Sequence, residues 1–417
     1  MLLKCEKLMT QPLSRRRENF LLLTLAGIQF SHIVDFMIMM PMGPMLTYLF
    51  NISTAEFGLL VSAYTFAAGA SGLLASGFID RFSRKRLLLT LYSLFALATL
   101  ACGLAPSYGA LLIARVAAGL FGGVLSAMAQ TIVGDVIVFE RRGRAMALVM
   151  TSFSIATVAG VPLGLFLANG WGWHSPFFAI AGLCLLLGLM AAVTMPRLNH
   201  HLHHNIGVPV LKMMRDVLSD RNHQKALLMS ASMMFAGFTV IPYITIYNQG
   251  NGIMQAHEIP YIYLCGGLAT LIAARWLGVW TDQWGKRQMF RLMMAISIVP
   301  MMMTTLLEPV PLYIALLVST FYFLTMNGRM IPGMALLTSA AQPQQRGAFM
   351  SINGAVQSVA LGCATFVGGL LIQTDAQGHV SHFWIAGLVG LLSSVVAYWA
   401  AGQVRINIEN KPSQSIH

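Results

Sequence analysis

Long apolar runs alternate with short polar segments along almost the whole chain. The runs fall near 20–42, 57–79, 87–105, 109–134, 145–168, 176–195, 226–247, 259–280, 289–307, 312–338, 349–372 and 383–402. Each holds about 20 residues, enough for a helix to cross the roughly 30 Å hydrocarbon layer of a bilayer. The pattern therefore predicts an all-α integral membrane protein with twelve transmembrane helices. One interval is long and polar, "PRLNHHLHHNIGVPVLKMMRDVLSDRNHQK" at 196–225. It divides the chain into a six-helix bundle (1–195), a central linker (196–225), a second six-helix bundle (226–402) and a tail (403–417). An even number of spans puts both termini on the same side.

Composition agrees with this pattern: 57% of residues are hydrophobic and only 10% charged, against about 25% charged in soluble domains. The net charge of +12 would suggest nucleic acid as a partner in a soluble chain, but the charges are placed otherwise. Of 26 Lys and Arg, 23 fall in the N-terminal segment, the linker, the tail and alternate loops, all on one side of the predicted membrane. Cytoplasmic loops carry such an excess, so both termini and the linker are expected in the cytoplasm, against anionic head groups, with no nucleic-acid partner. The basic segment before the first run resembles the start of a signal peptide. The run is too long and lacks a small-residue cleavage site, which predicts an uncleaved first helix. The five cysteines are odd in number, widely spaced and free of any CxxC, so neither a disulfide framework nor a thiolate metal site is expected. The histidines at 200–204 have no acid or cysteine beside them, and no metal or other cofactor is expected. Without a phosphate-binding loop, the energy for any transport would come from an ion gradient.

Two charged stretches repeat. "SGFIDRFSRKRL" (76–87) carries Asp80, Arg81 and Arg84, and "GVWTDQWGKR" (278–287) carries Asp282, Lys286 and Arg287. Each follows the second span of its half. The second copy resembles the G-x-x-x-D-x-x-G-[RK]-[RK] loop signature of the major facilitator superfamily. The first copy is similar, with Ser76 and Ser83 where that signature has glycines. Together with the span count and the central linker, the resemblance covers the whole chain. It implies the major facilitator fold, in which two bundles rock about a central site, usually as a monomer. A carboxylate can face the positive N-terminus of a neighbouring helix. The resemblance implies that Asp80 does so at the eleventh span near Gly347 and Ala348, and Asp282 at the fifth near Gly143. Asp135 would pair with Arg81 or Arg84. Ser339 and Ala340 occupy the corresponding place in the second half, so the expected cytoplasmic latch is asymmetric. "LLIARVAAGLFGG" (111–123) resembles the fourth-span pattern R-x-x-x-G-x-x-G-G through Arg115, Gly119, Gly122 and Gly123. "VAGVPLG" (158–164) resembles the fifth-span antiporter signature through Gly160, Pro162 and Gly164. Val161 stands before the proline where multidrug members have glycine, a variation closer to sugar- and antibiotic-efflux members.

Charges at membrane depth are costly and so usually paired or functional. Asp35 lies about 15 residues into the first span, roughly 22 Å from the cytoplasmic end, and Arg115 roughly 9 Å from the outer end of the fourth. In a layer of about 30 Å these depths match, so the two can meet. An apolar wall favours the neutral acid and a nearby guanidinium the carboxylate. A cycle that separates and rejoins them can load and release a proton, although a static ion pair is the other reading. His32 lies one turn before Asp35 on the same face. Arg329, in "MNGRMIPG", is either cavity-lining or structurally paired, whereas Arg275 is expected to reach the interface. Asn353 and Gln357 share a face of the eleventh span and should face protein or cavity. Tyr243, Tyr247 and Asn248 are candidates for an outer mouth. The first-span methionines, Met37, Met39, Met40, Met42 and Met45, are expected mostly on the lipid side.

The expected function is secondary active transport in a bacterial inner membrane: proton-coupled efflux of a small organic compound or drug. The alternative is a proton symporter importing a small nutrient such as a sugar or organic acid. An intramembrane enzyme would need a nucleophile–base pair or metal ligands at depth, and outside the turn of His32 and Asp35 the sequence offers none.

Overall fold

A computed structural model of the chain describes residues 15–79, 82–137, 139–195, 210–342, 345–375 and 378–406. Asp80, Arg81 and the histidines at 200–204 lie outside these residues. The first half comprises α1 (Arg15–Ile38), the short α2 (Gly43–Phe50), α3 (Thr54–Phe78), α4 (Arg84–Gly103), α5 (Tyr108–Val136), α6 (Phe139–Ile155), α7 (Val161–Trp171) and α8 (Ser175–Thr194). Helix α9 (Val210–Ser219) lies within the polar interval expected at 196–225. The second half comprises α10 (Arg221–Phe238), α11 (Ile244–Gly250), α12 (Ile259–Trp284), α13 (Lys286–Thr305), α14 (Leu312–Gly328), α15 (Met330–Ala340), α16 (Arg346–Leu371) and α17 (Phe383–Gln403). A small antiparallel ladder, Gln373–Thr374 with Val380–Ser381, precedes α17.

Among the described residues, eleven helical segments are long and apolar enough to cross a membrane. The run expected at 289–307 is helical as α13, but Gln288, Arg291 and Pro300 dilute its hydropathy. Local chemistry sets the boundaries. Ser53 and Glu56 form a reciprocal capping box that starts α3, supplying partners for N–H groups that the first turn leaves free. Ser107 caps α5 by accepting from Ala110 N–H, and Asp220 caps α10 by accepting from Asn222 N–H. Pro162 has no N–H to donate, and its ring would collide with the carbonyl four residues back. The chain responds with a π turn at Ala156–Gly160, where the Val161 N–H reaches Ala156 O, and then continues as α7.

The two halves meet along α3 with α16 and along the α6–α7 segment with α12. Small residues make this approach close. A Cβ on Gly369 would stand 2.6 Å from the Thr54 carbonyl, and one on Gly267 would stand 2.7 Å from the Val158 side chain. Hydrogen bonds between the halves, among the described residues, all lie at the end opposite the basic loops. Thr54 Oγ1 donates to Gly369 O (3.2 Å) and Ile372 O (2.8 Å). Thr245 Oγ1 donates to Met40 O (3.1 Å), and Asn169 Nδ2 to Ala256 O (3.3 Å).

The first-span methionines differ from expectation. Helix α1 stops at Ile38, and the following turn folds Met39, Met40 and Met42 into the core rather than toward lipid. Tyr243, Tyr247 and Asn248 are likewise buried rather than lining a mouth. Tyr243 Oη donates to Thr365 O and Tyr247 Oη to Leu307 O, tying α10–α11 to their neighbours.

The repeated loops differ at one backbone position. Gly285 joins α12 to α13 at φ 93°, ψ 134°, a region open almost only to glycine. Ser83, its counterpart, sits at φ −57° and needs no glycine. Gly285→Ala is therefore expected to cost about 1–3 kcal/mol and lower the melting temperature, while Ser83→Gly costs less than about 1 kcal/mol. Equal melting of the two variants would show that the turn is not strained.

Candidate functional site

The centre of the first half is built on the last turn of α1. The final four carbonyls of a helix lack partners within it, and a cation there also meets the negative end of the helix dipole. Asp35 lies in that turn, and Arg115 reaches it from α5. Arg115 Nη1 donates to Asp35 Oδ2 at 2.8 Å and to the Asp35 carbonyl at 3.2 Å. Both side chains are fully buried. The guanidinium thus neutralises the carboxylate and caps the helix with the same nitrogen.

The glycine pattern explains how α5 presents Arg115. A Cβ on Gly119 would stand 2.3 Å from the Tyr64 carbonyl, and one on Gly123 2.2 Å from the Ala68 carbonyl. These glycines let α3 lie against α5 almost backbone to backbone. Gly122 leaves room for the Tyr64 hydroxyl, 2.5 Å from where its Cβ would be. Tyr64 therefore sits with its ring centroid 4.4 Å from Arg115 Cζ, a favourable cation–π geometry. Its other neighbour is Phe36, stacked at 5.3 Å. Gly160 and Gly164 serve α1 similarly, since a Cβ on either would collide with Val34 or Ile38.

Hydrogen-bonding capacity remains at this centre. Asp35 Oδ1, Arg115 Nε and Nη2, the Tyr64 hydroxyl and both His32 ring nitrogens are buried without a partner among the described residues. Each such group costs about 1–3 kcal/mol when left unsatisfied. Thr99 and Cys102 flank the same pair.

A family model described as the Major Facilitator Superfamily matches the chain in two overlapping stretches, residues 25–329 and 226–415. The chain belongs to the Major Facilitator Superfamily. It is an integral, multi-pass membrane transporter of a small-molecule substrate and not an enzyme. Its relatives include the uncharacterized MFS-type transporter YbcL of Bacillus subtilis (strain 168), 23% identical over 83% of this chain and 86% of that one. A probable sugar efflux transporter of Helicobacter pylori (strain HPAG1) is 28% identical over 36% of this chain and 38% of that one. Among solved structures, a bacterial homologue of the human lysosomal transporter Spinster, in an inward-facing and occupied conformation, aligns with TM-score 0.74 and 16% identity, over 94% of this chain and 98% of that one. A D-xylose–proton symporter aligns with TM-score 0.74 and 17% identity, over 92% and 97%. At these identities the structural likeness concerns the fold.

In this superfamily member the repeated loop bases act first within their own halves. Arg84 Nε pairs with Asp135 Oδ2 at 3.0 Å, and Lys286 Nζ donates to Ser339 Oγ at 2.7 Å. The next base in each copy caps a helix C-terminus. Lys85 Nζ donates to Ala192 O in the last turn of α8 and to Met195 O just past it (2.6 and 2.7 Å), and Arg287 donates to Val404 O just past α17. Each half therefore repeats one staple, an ion pair in the first and a cation-to-hydroxyl hydrogen bond in the second. Asp282 is exposed, and no hydrogen bond joins it to Gly143 among the described residues. Among the described residues, nothing stands within 4 Å of the Cβ positions of Gly143 and Gly347; Asp80, expected beside Gly347, lies outside them.

Arg275 is exposed on α12. Gln357 Nε2 donates to Ser230 Oγ at 2.9 Å, while Asn353 is buried with Oδ1 unpartnered among the described residues. Arg329 is buried at the junction of α14 and α15. Sequence reasoning missed Tyr64, which alternates with many equivalent apolar positions on α3. It also missed the helix-capping role of Lys85 and Arg287, for which the repeat spacing was an available signal.

Proposed function

We propose that the protein is a secondary active transporter that exports a small organic compound in exchange for protons, by alternating access, from the cytoplasmic membrane of a bacterium. The observation that carries this reading is the sealed Asp35–Arg115 pair, with spare hydrogen-bonding atoms on both partners and His32 one turn away. Protonation of Asp35 would release Arg115, and deprotonation would recapture it. The fifth-span glycine–proline segment favours efflux, and the relative named as a sugar efflux transporter is consistent with it.

In this reading α13 is a twelfth span, residues 1–195 and 226–402 are the two bundles, and both termini face the cytoplasm. The basic loops mark the cytoplasmic face, so the hydrogen bonds between the halves at the opposite end close the protein to the outside. Asp80, Arg81, Arg84, Asp135, Asp282, Lys286 and Arg287 would form the latch that closes the cytoplasmic face in the opposite state. The exposure of Asp282, with nothing against Gly143 among the described residues, fits an unlatched, inward-facing conformation. The protein works as a monomer.

The deciding experiment uses proteoliposomes with an acidic interior and an internal pH dye, to which antibiotics, sugars and organic acids are added outside. Alkalinisation of the interior as a compound accumulates establishes antiport. Proton entry together with the compound would overturn export in favour of the nutrient symporter.

The outer closure gives a separate prediction. Each threonine hydroxyl has one hydrogen to donate, and each such bond is worth about 1 kcal/mol net, so Thr54→Val combined with Thr245→Val removes about 2 kcal/mol from the outward-closed state. Spin labels at the exposed positions Tyr48 and Gln373 should report a larger population of long distances. An unchanged distance distribution would show that these bonds do not hold the outer end shut.

A further inference from the structure

Arg329 differs from every other deeply placed charge in the protein. It lies about 17 residues from the outer end of the α14–α15 segment and about 11 from the basic end, roughly 25 Å and 16 Å at 1.5 Å per residue. Only 3% of its surface is exposed. Its Nη2 donates to Met233 O of α10 at 2.7 Å. Nε and Nη1 are buried without an acceptor among the described residues. A Cβ on Gly237 would stand 2.8 Å from Nη2, so this glycine clears the place the guanidinium occupies against α10.

No carboxylate of the second half lies deep in a span. From α10 onward its acids among the described residues, Glu258, Asp282, Glu308 and Asp375, sit at helix ends or between helices. The contrast with the first half is direct, since Arg115 at similar burial has Asp35 against it. A full positive charge left without a counterion in a low-dielectric interior is strongly unfavourable. The single carbonyl at Met233 could be satisfied by a neutral donor and does not require a cation. The charge is explained if its counterion arrives with the cargo.

We propose that Arg329 recognises an anionic group, a carboxylate, phosphate or sulfonate, on the transported solute. This rests on the transporter reading but requires neither proton coupling nor export. If the proton reading also holds, the two halves divide the work: Asp35 takes up and releases the proton beside Arg115, and Arg329 selects an organic anion. The N–H groups at Nε and Nη1 donate to the anionic oxygens, and Tyr322, whose hydroxyl donates to Gly237 O at 3.2 Å, helps fix the α10 backbone beside the guanidinium.

The test is binding to the full-length protein in phosphatidylcholine nanodiscs, read as a shift in melting temperature. The probes are a library of carboxylic acids, each paired with its primary amide, plus chloride alone. At least one acid should stabilise the wild-type protein while its amide does not. Arg329→Gln should lose that shift, and Arg329→Lys should retain part of it. The acid-against-amide comparison on wild-type protein stands even if a variant fails to fold. The inference is overturned if only amides or cationic compounds bind, if no acid binds, if Arg329→Gln responds like wild type, or if chloride alone reproduces the shift. Stabilisation by added phosphatidylglycerol that Arg329→Gln loses would assign the anion to a lipid head group and overturn the solute. Because binding is read without a gradient, this result is independent of the proteoliposome experiment on direction and coupling.

Discussion

Asp35→Asn is expected to eliminate proton movement driven by substrate in proteoliposomes, while substrate exchange without a pH gradient continues. The substitution keeps the shape of the side chain and an oxygen acceptor for Arg115. The contact from Arg115 Nη1 to the Asp35 carbonyl, 3.2 Å, does not depend on the carboxylate at all. The Tyr64 ring still supports the guanidinium from its other side. Asparagine therefore preserves much of the packing and removes the one group among these that can take up and release a proton. The combination of lost coupling with retained exchange separates a proton site from a static ion pair, since disruption of the fold would remove both activities. Retention of full proton coupling in Asp35→Asn would refute the assignment. His32→Gln serves as a companion variant: both ring nitrogens lack partners among the described residues, so a strong effect there would place the proton route through His32 as well.

The helical elements were legible because hydropathy and length are properties of the sequence itself. The proximity of Asp35 and Arg115 was legible for a related reason. Both charges are too costly to leave in hydrocarbon, and counting residues from each end puts them at one depth. Depth does not give rotation about a helix axis, however. Tyr64 becomes the neighbour of Arg115 because Gly119, Gly122 and Gly123 bring α3 close on one face, a fact that needs both helices at once. The threonines joining the halves were invisible for the same reason, since each donates to a backbone carbonyl that any residue could supply. The methionines after Ile38 were misread because their burial follows from where α1 ends. The break at Arg329 did leave a trace: Pro332 cannot donate to the carbonyl of Gly328 four residues earlier, and α14 stops at that glycine.

The repeat carries a further consequence for what the loop bases do. Because Lys85 and Arg287 are engaged with carbonyls at the ends of their own bundles, each bundle can move as a unit with its loop attached. For Arg287 to join the proposed latch it must leave Val404 O when the cytoplasmic face closes. The staple of Arg84 with Asp135 is an ion pair, and its counterpart, Lys286 with Ser339, joins a cation to a hydroxyl, so only the first has an acid that a moving base could share.

The second large effect is expected from Arg115→Gln, with the double variant Asp35→Asn/Arg115→Gln as its partner. Removing one member of a buried pair leaves the other charge uncompensated, at a cost of about 3–5 kcal/mol. Arg115→Gln does this to Asp35, which is 0% exposed, and it also removes the cap on α1 and the cation against Tyr64. A pronounced fall in melting temperature should follow. Adding Asp35→Asn removes the stranded carboxylate, leaving two amides able to hydrogen-bond to each other. The double variant should therefore be more stable than Arg115→Gln alone, by about 1–3 kcal/mol of coupling between contacting sites. The single Asp35→Asn should lie closer to wild type, because its neighbour keeps a carbonyl acceptor. Detergent-solubilised protein followed by thermal unfolding measures all four members of the cycle. Simple additivity of the two substitutions would show that the pair is not energetically coupled in the folded protein. It would also remove the basis for a cycle in which protonating one partner releases the other.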